Sequence, residues 1–154
     1  MKQRLTYLVL IMLACATIAY AGPAWHAEIT IDNIRLFFAP NTEKALMAAK
    51  FAEERISEIK ETEEEDALPG IYAVQDMLTT IEEHLDIKGN AHKALKKQQQ
   101  IEDKVITINH DLTGLTDKAK TEEYKLALTH AALRTEILLD EVALAKQKTK
   151  AKLK

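Results

Sequence analysis

The sequence predicts an all-α protein, an antiparallel bundle of four or five helices with coiled-coil-like packing. Apolar residues make up 47% of the chain but aromatic residues only 5%, and only 4 Gly and 3 Pro interrupt it. This composition is typical of helix bundles and poor in the aromatic residues that strands prefer. A length of 154 residues suits one domain with a continuous core.

The N-terminal segment, residues 1–21, predicts an export signal. Lys2 and Arg4 precede an uncharged apolar run, and Ala19 and Ala21 form an A-x-A pattern that favours cleavage before Gly22. Two alternatives remain open. The run is about long enough to stay as a membrane anchor, and Met12-Leu13-Ala14-Cys15 approximates a lipoprotein cleavage box with lipid on Cys15.

The cysteine count and the charge limit what a cleaved chain could do. Cys15 is the only cysteine, so cleavage after residue 21 would leave no disulfide and stability would come from packing. Loss of Lys2 and Arg4 would leave 19 Lys+Arg against 24 Asp+Glu, shifting the formal net charge from −3 to −5. Mild acidity argues against general nucleic-acid binding.

The bundle domain is expected to span residues 22–145, and its first two helices lie on either side of Pro40 in the sequence. WHAEITIDNIRLFF, residues 25–38, predicts a short, well-buried helix, because no partner strand for its β-branched residues is evident. Pro40 should end it and Asn41 should cap a second helix to about Glu65.

The stretch FAEERISEIKE forms the second half of that helix, whose alanines recur at spacings of three and four. Ala52, Ile56 and Ile59 are expected to face the core. The charged residues Glu53, Glu54, Arg55 and Glu58 are expected on the outer, hydrated face.

Residues 32–61, DNIRLFFAPNTEKALMAAKFAEERISEIKE, contain three motifs in succession: Asn-Ile-Arg-Leu, a helix start with Glu43 and Lys44, and Phe-Ala-Glu-Glu-Arg-Ile-Ser-Glu. They resemble the core of a family of exported prokaryotic proteins known only as a domain of unknown function. Asn41 and Thr42 stand where that family usually has an acid and a proline. The resemblance implies an exported helical domain and supplies no catalytic residues.

Three further helices follow from spacing and capping signals. The sequence Ala67-Leu68-Pro69-Gly70 is expected to form a loop, followed by a third helix that ends with Gly89 as its C-cap. Asn90 should cap a fourth helix. The apolar positions of the fourth keep a 4-3-4-3 rhythm with the polar Gln98 among them, as in a coiled-coil seam: Ala94, Gln98, Ile101, Val105, Ile108, Leu112 and Leu115.

The fifth helix, beginning near Thr116 or Asp117, is the longest and carries the most apolar surface. One stripe contains Leu126, His130, Leu133, Ile137 and Leu144, and a second group, Leu128, Ala132, Leu138, Leu139 and Val142, widens it. This helix is expected either to be central or to lend a face to a second protein.

Catalytic and metal-binding patterns are missing from the sequence. The five histidines, His26, His84, His92, His110 and His130, lack HExxH, Glu-x-x-His or i,i+4 partners. Ser57 is the sole serine, the adjacent carboxylates such as Glu53-Glu54 suit hydrated helix faces, and no glycine-rich phosphate loop occurs. We therefore expect no enzymatic activity, no cofactor and no specific metal site.

Residues 146–154 form a lysine-rich tail, with Lys146, Lys148, Lys150, Lys152 and Lys154 at every second position. Lysines in this position are typical of a solvated helix end, where cations interact favourably with the helix dipole. They could also bind an anionic surface of the cell envelope. Aromatic residues for stacking on nucleic acid are missing.

The function that follows is that of an exported, non-enzymatic protein of the cell envelope, periplasmic or extracellular, acting in protein interaction or assembly. Its partner would be another protein or a second copy, bound through helix faces. The alternative is a periplasmic sensor or chaperone-like binder of metal or unfolded protein.

Overall fold

The computed structural model describes residues 25–153, with side chains described from Glu28 onward. This part of the chain is all-α, as expected, and holds five helices: α1 Trp25–Phe38, α2 Asn41–Ile59, α3 Glu64–Glu83, α4 Ala91–Thr116 and α5 Glu122–Ala151. These residues fall into two compact units that divide after Phe38. The first contains α1 and the second contains the four-helix bundle.

Helix α1 is less buried than its sequence predicts. Leu36 and Asp32 are buried, but Ile31, Phe37 and Phe38 are exposed, the two phenylalanines by about three quarters. The rings of Phe37 and Phe38 meet edge to face with their centroids 5.2 Å apart. Adjacent helical residues point about 100° apart, so the consecutive residues Leu36, Phe37 and Phe38 cannot all lie on one buried face.

The bundle consists of two helical hairpins, α2 with α3 and α4 with α5, each antiparallel and closed by a short connection. Between hairpins the neighbours run parallel. The starts of α2 and α4 meet through Glu43 and Lys97, and their ends meet through Lys60 and Asp111. α2 packs on α4, and α3 packs on α5, while α3 and α4 lie diagonally across the bundle and their backbones do not approach each other closely. The α3–α4 connection therefore crosses one end of the bundle.

The core follows the spacing read from the sequence. All six seam residues of α4 from Ala94 to Leu112 are buried, and Leu115 is half-buried. Helix α2 contributes its alanines together with Ala52, Ile56 and Ile59. The prediction for Arg55 is wrong, because this side chain is buried and its Nη1 lies 2.6 Å from Oε2 of Glu58.

Several helix boundaries differ from the prediction. α2 ends at Ile59 rather than near Glu65, and α5 begins at Glu122 rather than near Thr116 or Asp117. Asn41 is the first residue of α2 rather than its cap, and the Pro40 carbonyl accepts the backbone N–H of Glu43 at 2.8 Å. Pro69 lies inside α3. Because proline has no N–H, the carbonyl of Glu65, four residues back, loses its helical hydrogen bond. Glu65 is exposed, so water can replace the missing donor, and the helix continues through Pro69.

Residues 84–90, which connect α3 to α4, replace the expected extension of α3. The helix ends at Glu83, while Gly89 lies later with a φ of +115°, a conformation that favours glycine. Leu85 is buried, and its carbonyl accepts hydrogen bonds from Nε2 of the buried Gln98 at 3.1 Å and from the N–H of Ile87 at 2.9 Å. The hydrogen bond from Gln98 therefore holds the connection against α4. As expected, Asn90 caps α4 by accepting the N–H of Lys93.

The starts of α3 and α5 are joined by Glu64. Its carboxylate accepts the backbone N–H groups of Lys120 at 2.8 Å and Thr121 at 3.0 Å, and the Thr121 hydroxyl at 3.1 Å. The N–H of Lys120 is the largest influence lowering the pKa of Glu64, burial opposes it, and the Thr121 donors add to the lowering. The ionised carboxylate therefore stabilises the fold.

We expect this contribution to disappear in acid. A carboxyl group whose pKa is lower in the folded state stabilises the protein above its unfolded pKa, and that stability is lost as the pH falls below 4.5 and through the folded value. Glu64→Gln should therefore lower the urea midpoint at pH 7 and reduce its loss in acid. Glu65→Gln, at an exposed neighbour, is the control and should follow the wild-type curve. Identical pH profiles for wild type and Glu64→Gln would contradict this assignment.

Candidate interaction surface

Helix α5 is apolar on two opposite faces. Its inner face packs in the bundle through Leu128, Leu138 and Val142, each at most 2% exposed. Its outer face carries Leu126, Leu133, Ile137 and Leu144, which we call the outward stripe; these side chains are between 50% and 58% exposed. The sequence predicted one broad arc, and the structure separates that arc into a core face and a hydrated face.

The outward stripe keeps the spacing of a coiled-coil seam. Its four residues follow one another at intervals of seven, four and seven, and His130 and Asp140 occupy the two intervening positions of the heptad pattern. Both of these side chains are exposed. Within the bundle this seam has no partner helix, whereas the comparable seam of α4 is the core.

A groove of about 440 Å³ runs beside the outward stripe, between α3 and α5. Its walls are fixed by two contacts: Nε2 of Gln75 donates to the Ala127 carbonyl at 3.2 Å, and Nη2 of Arg134 donates to Glu82 at 2.9 Å. Leu133 and Ile137 form part of the lining. The surface around the stripe is therefore held by the packing of α3 on α5.

A second cavity, of about 620 Å³, lies where the α3–α4 connection meets α5. Leu144 lines it together with Gln98, whose Oε1 is buried without a hydrogen-bond partner. The remaining charged side chains are mixed in sign: Glu82, Glu83, Asp86, Glu141, Lys148 and Lys152. This cavity borders one end of the outward stripe.

The histidines are dispersed over the bundle. His84 contacts the Thr80 carbonyl through Nδ1 at 3.0 Å, and His92, His110 and His130 are exposed. Among residues 28–153, no three His, Cys, Asp or Glu side chains lie together as a potential metal site. His26 lies outside the residues whose side chains are described.

The polar residues considered for catalysis lie on helix surfaces. Ser57 is exposed on α2, and Glu53 forms an ion pair with Lys104 across to α4. Glu54 is exposed, as are Glu122 and Glu123 at the start of α5. Neither of the two cavities beside α5 is lined by Ser57 or by any of these carboxylates.

The C-terminal lysines lie in different surroundings. Helix α5 continues to Ala151, and Lys146 on it contacts Glu102 and Gln99 of α4. Lys148 and Lys150 are exposed, and Nζ of Lys152 is 3.8 Å from Asp86. Lys154 lies outside the described residues.

The residues of the export prediction, Ala19, Ala21, Gly22 and Cys15, lie outside the described residues. Of the helices between Trp25 and Ala151, none combines the length and apolar character that a membrane span requires. Comparison with family models, curated proteins and solved structures found no match. The family resemblance of residues 32–61 stays a prediction.

Proposed function

We propose that this chain is an exported, non-enzymatic helical-bundle protein of the cell envelope that acts in protein interaction or assembly. The outward stripe of α5 carries the proposal. Single exposed apolar residues are ordinary on protein surfaces, but a row of four on one helix, each at least 50% exposed, is typical of a surface that another helix covers. An apolar seam of this kind recognises a partner helix through anchors one and two turns apart.

Export is proposed from the sequence of residues 1–22, with Lys2 and Arg4 before the apolar run and Ala19 and Ala21 before Gly22. The cationic end of α5 suits the same location. Lys148 and Lys150 are exposed, and a lysine near an anionic surface contributes about 1 kcal/mol of attraction.

Photo-crosslinking in the producing cells tests the interaction. A photoreactive amino acid replaces Leu133 at the middle of the outward stripe, and illumination should yield an adduct with a protein. The matched control is Ile106 on α4, another apolar residue that is 53% exposed but lies outside the stripe. Adducts of equal yield at both positions, or none at Leu133, would contradict the proposed surface.

A further inference from the structure

We propose that the partner helix on the outward stripe is α5 of a second copy of this chain, bound antiparallel about a two-fold axis near residue 135. This inference rests on the proposed function and names the partner of the same surface. A two-fold contact uses one patch twice, so the patch must complement itself when one copy is reversed. The outward stripe meets that requirement with its four apolar residues, and the two polar residues between them, His130 and Asp140, meet it as well.

The apolar residues pair across the axis in one register. With residue 135 at the centre, Leu126 faces Leu144 of the second copy and Leu133 faces Ile137 of the second copy, so all four apolar side chains gain an apolar neighbour. Sliding one helix by a heptad in either direction places at least one of the four opposite a residue outside the stripe. In antiparallel coiled coils, a residue at an a position of one helix faces a residue at a d position of the other, and this register pairs the positions in that way along the whole seam.

The polar residues select the antiparallel direction. In the same register His130 faces Asp140 of the second copy, where an imidazole N–H can donate to a carboxylate. A parallel pair would instead set His130 against itself and Asp140 against itself, and two carboxylates in contact repel. This hydrogen bond thus favours the arrangement in which the apolar residues also match.

Arg134 and Glu141 lie beside the seam on the side of α3. Arg134 is one residue from the axis, so Arg134 of the second copy lies across from it, about 3 Å along the helix, and Glu141 of the second copy lies about 7.5 Å along the helix in the other direction. The two guanidinium groups are balanced by Glu141 and by Glu82, which accepts a hydrogen bond from Nη2 of Arg134 within each copy. The contact closes on itself, and the expected assembly is a dimer rather than a filament.

Sedimentation measures the assembly. The full-length sequence is produced with export, and the processed protein is purified and sedimented at concentrations from micromolar to about 100 micromolar. We expect the mass of two chains, and Leu133→Glu should weaken association at least about 30-fold, because a charge would then face Ile137 in the centre of the interface. Ile106→Glu is the matched control and should leave the dimer intact. Circular dichroism checks that both variants stay folded, as their exposure predicts.

Cysteine crosslinking tests the direction without relying on a destabilising change. In a Cys15→Ala background, one tagged chain carries Leu126→Cys and a differently tagged chain carries Leu144→Cys, and a copper oxidant is added. The antiparallel register predicts a disulfide between the two different chains only. Two Leu126→Cys chains would hold their cysteines about 27 Å apart, far beyond disulfide reach.

The outcomes separate this inference from the proposed function. A wild-type mass of one chain at every concentration, a dimer that survives Leu133→Glu, or efficient crosslinking between two Leu126→Cys chains would each overturn it. If the wild type is a single chain while the photoreactive group at Leu133 captures a protein of different mass, the interaction surface stands and the second copy does not. Linked heterodimers together with loss of association in Leu133→Glu would establish the antiparallel pair.

Discussion

Ile108→Ala should lower the free energy of unfolding by about 2 to 5 kcal/mol, the range for removing a large aliphatic side chain from a packed core. Ile108 lies on α4 and is fully buried. The cost combines lost transfer of the removed carbons from water with the cavity left where they packed. Two-state urea unfolding of wild type and variant, with equal slopes, measures the difference.

The control is Ile106→Ala, the same change two residues away in the same helix. Ile106 is 53% exposed, so its truncation should change the free energy of unfolding by about 0.5 kcal/mol or less. Both variants carry the same change in helix propensity, which therefore cancels in the comparison. Equal losses from the two variants would mean that the seam of α4 is not the core of the bundle.

The seam of α4 was predictable because its rhythm is sustained over seven positions. A residue every three or four positions defines one face of a helix, and six of the seven predicted positions are buried, with Leu115 half-buried. Gln98 is the one polar residue of the seam, but it is buried like its apolar neighbours. Its hydrogen bond to the Leu85 carbonyl explains why a polar side chain occurs there, and that contact depends on a connection whose path the sequence does not reveal.

Local signals failed where packing decides. Pro69 and Gly70 read as a break, yet the missing N–H lies near the start of α3 and Gly70 is buried against its neighbours. Arg55 read as a surface charge, but the partner Glu58 lies one turn away and allows burial of the guanidinium. The path of residues 84–90 across the end of the bundle could not be predicted from nearby residues. It depends on how the two hairpins pack, with α2 on α4 and α3 on α5.

The outward stripe was only partly predictable. The sequence showed that α5 carries more apolar surface than one face needs, but not which residues face water. Leu126 and Leu128 are two positions apart and so point about 200° apart on a helix, a signal that two faces are present. Deciding which one is buried requires the positions of α3 and α4, which pack on the side of Leu128.

Ala48→Leu should destabilise the bundle by about 1 to 3 kcal/mol, although it adds apolar volume. Helix α2 packs through four alanines that are each at most 2% exposed: Ala45, Ala48, Ala49 and Ala52. Small side chains let α3 and α4 approach α2 closely, and a leucine at Ala48 would have to displace one of these neighbours. The same change at Ala143, which is exposed on α5, should be close to neutral, and it serves as the control. Thermal and urea unfolding of the two variants beside wild type measure the difference, and a more stable Ala48→Leu protein would show that α2 does not pack closely along its alanines.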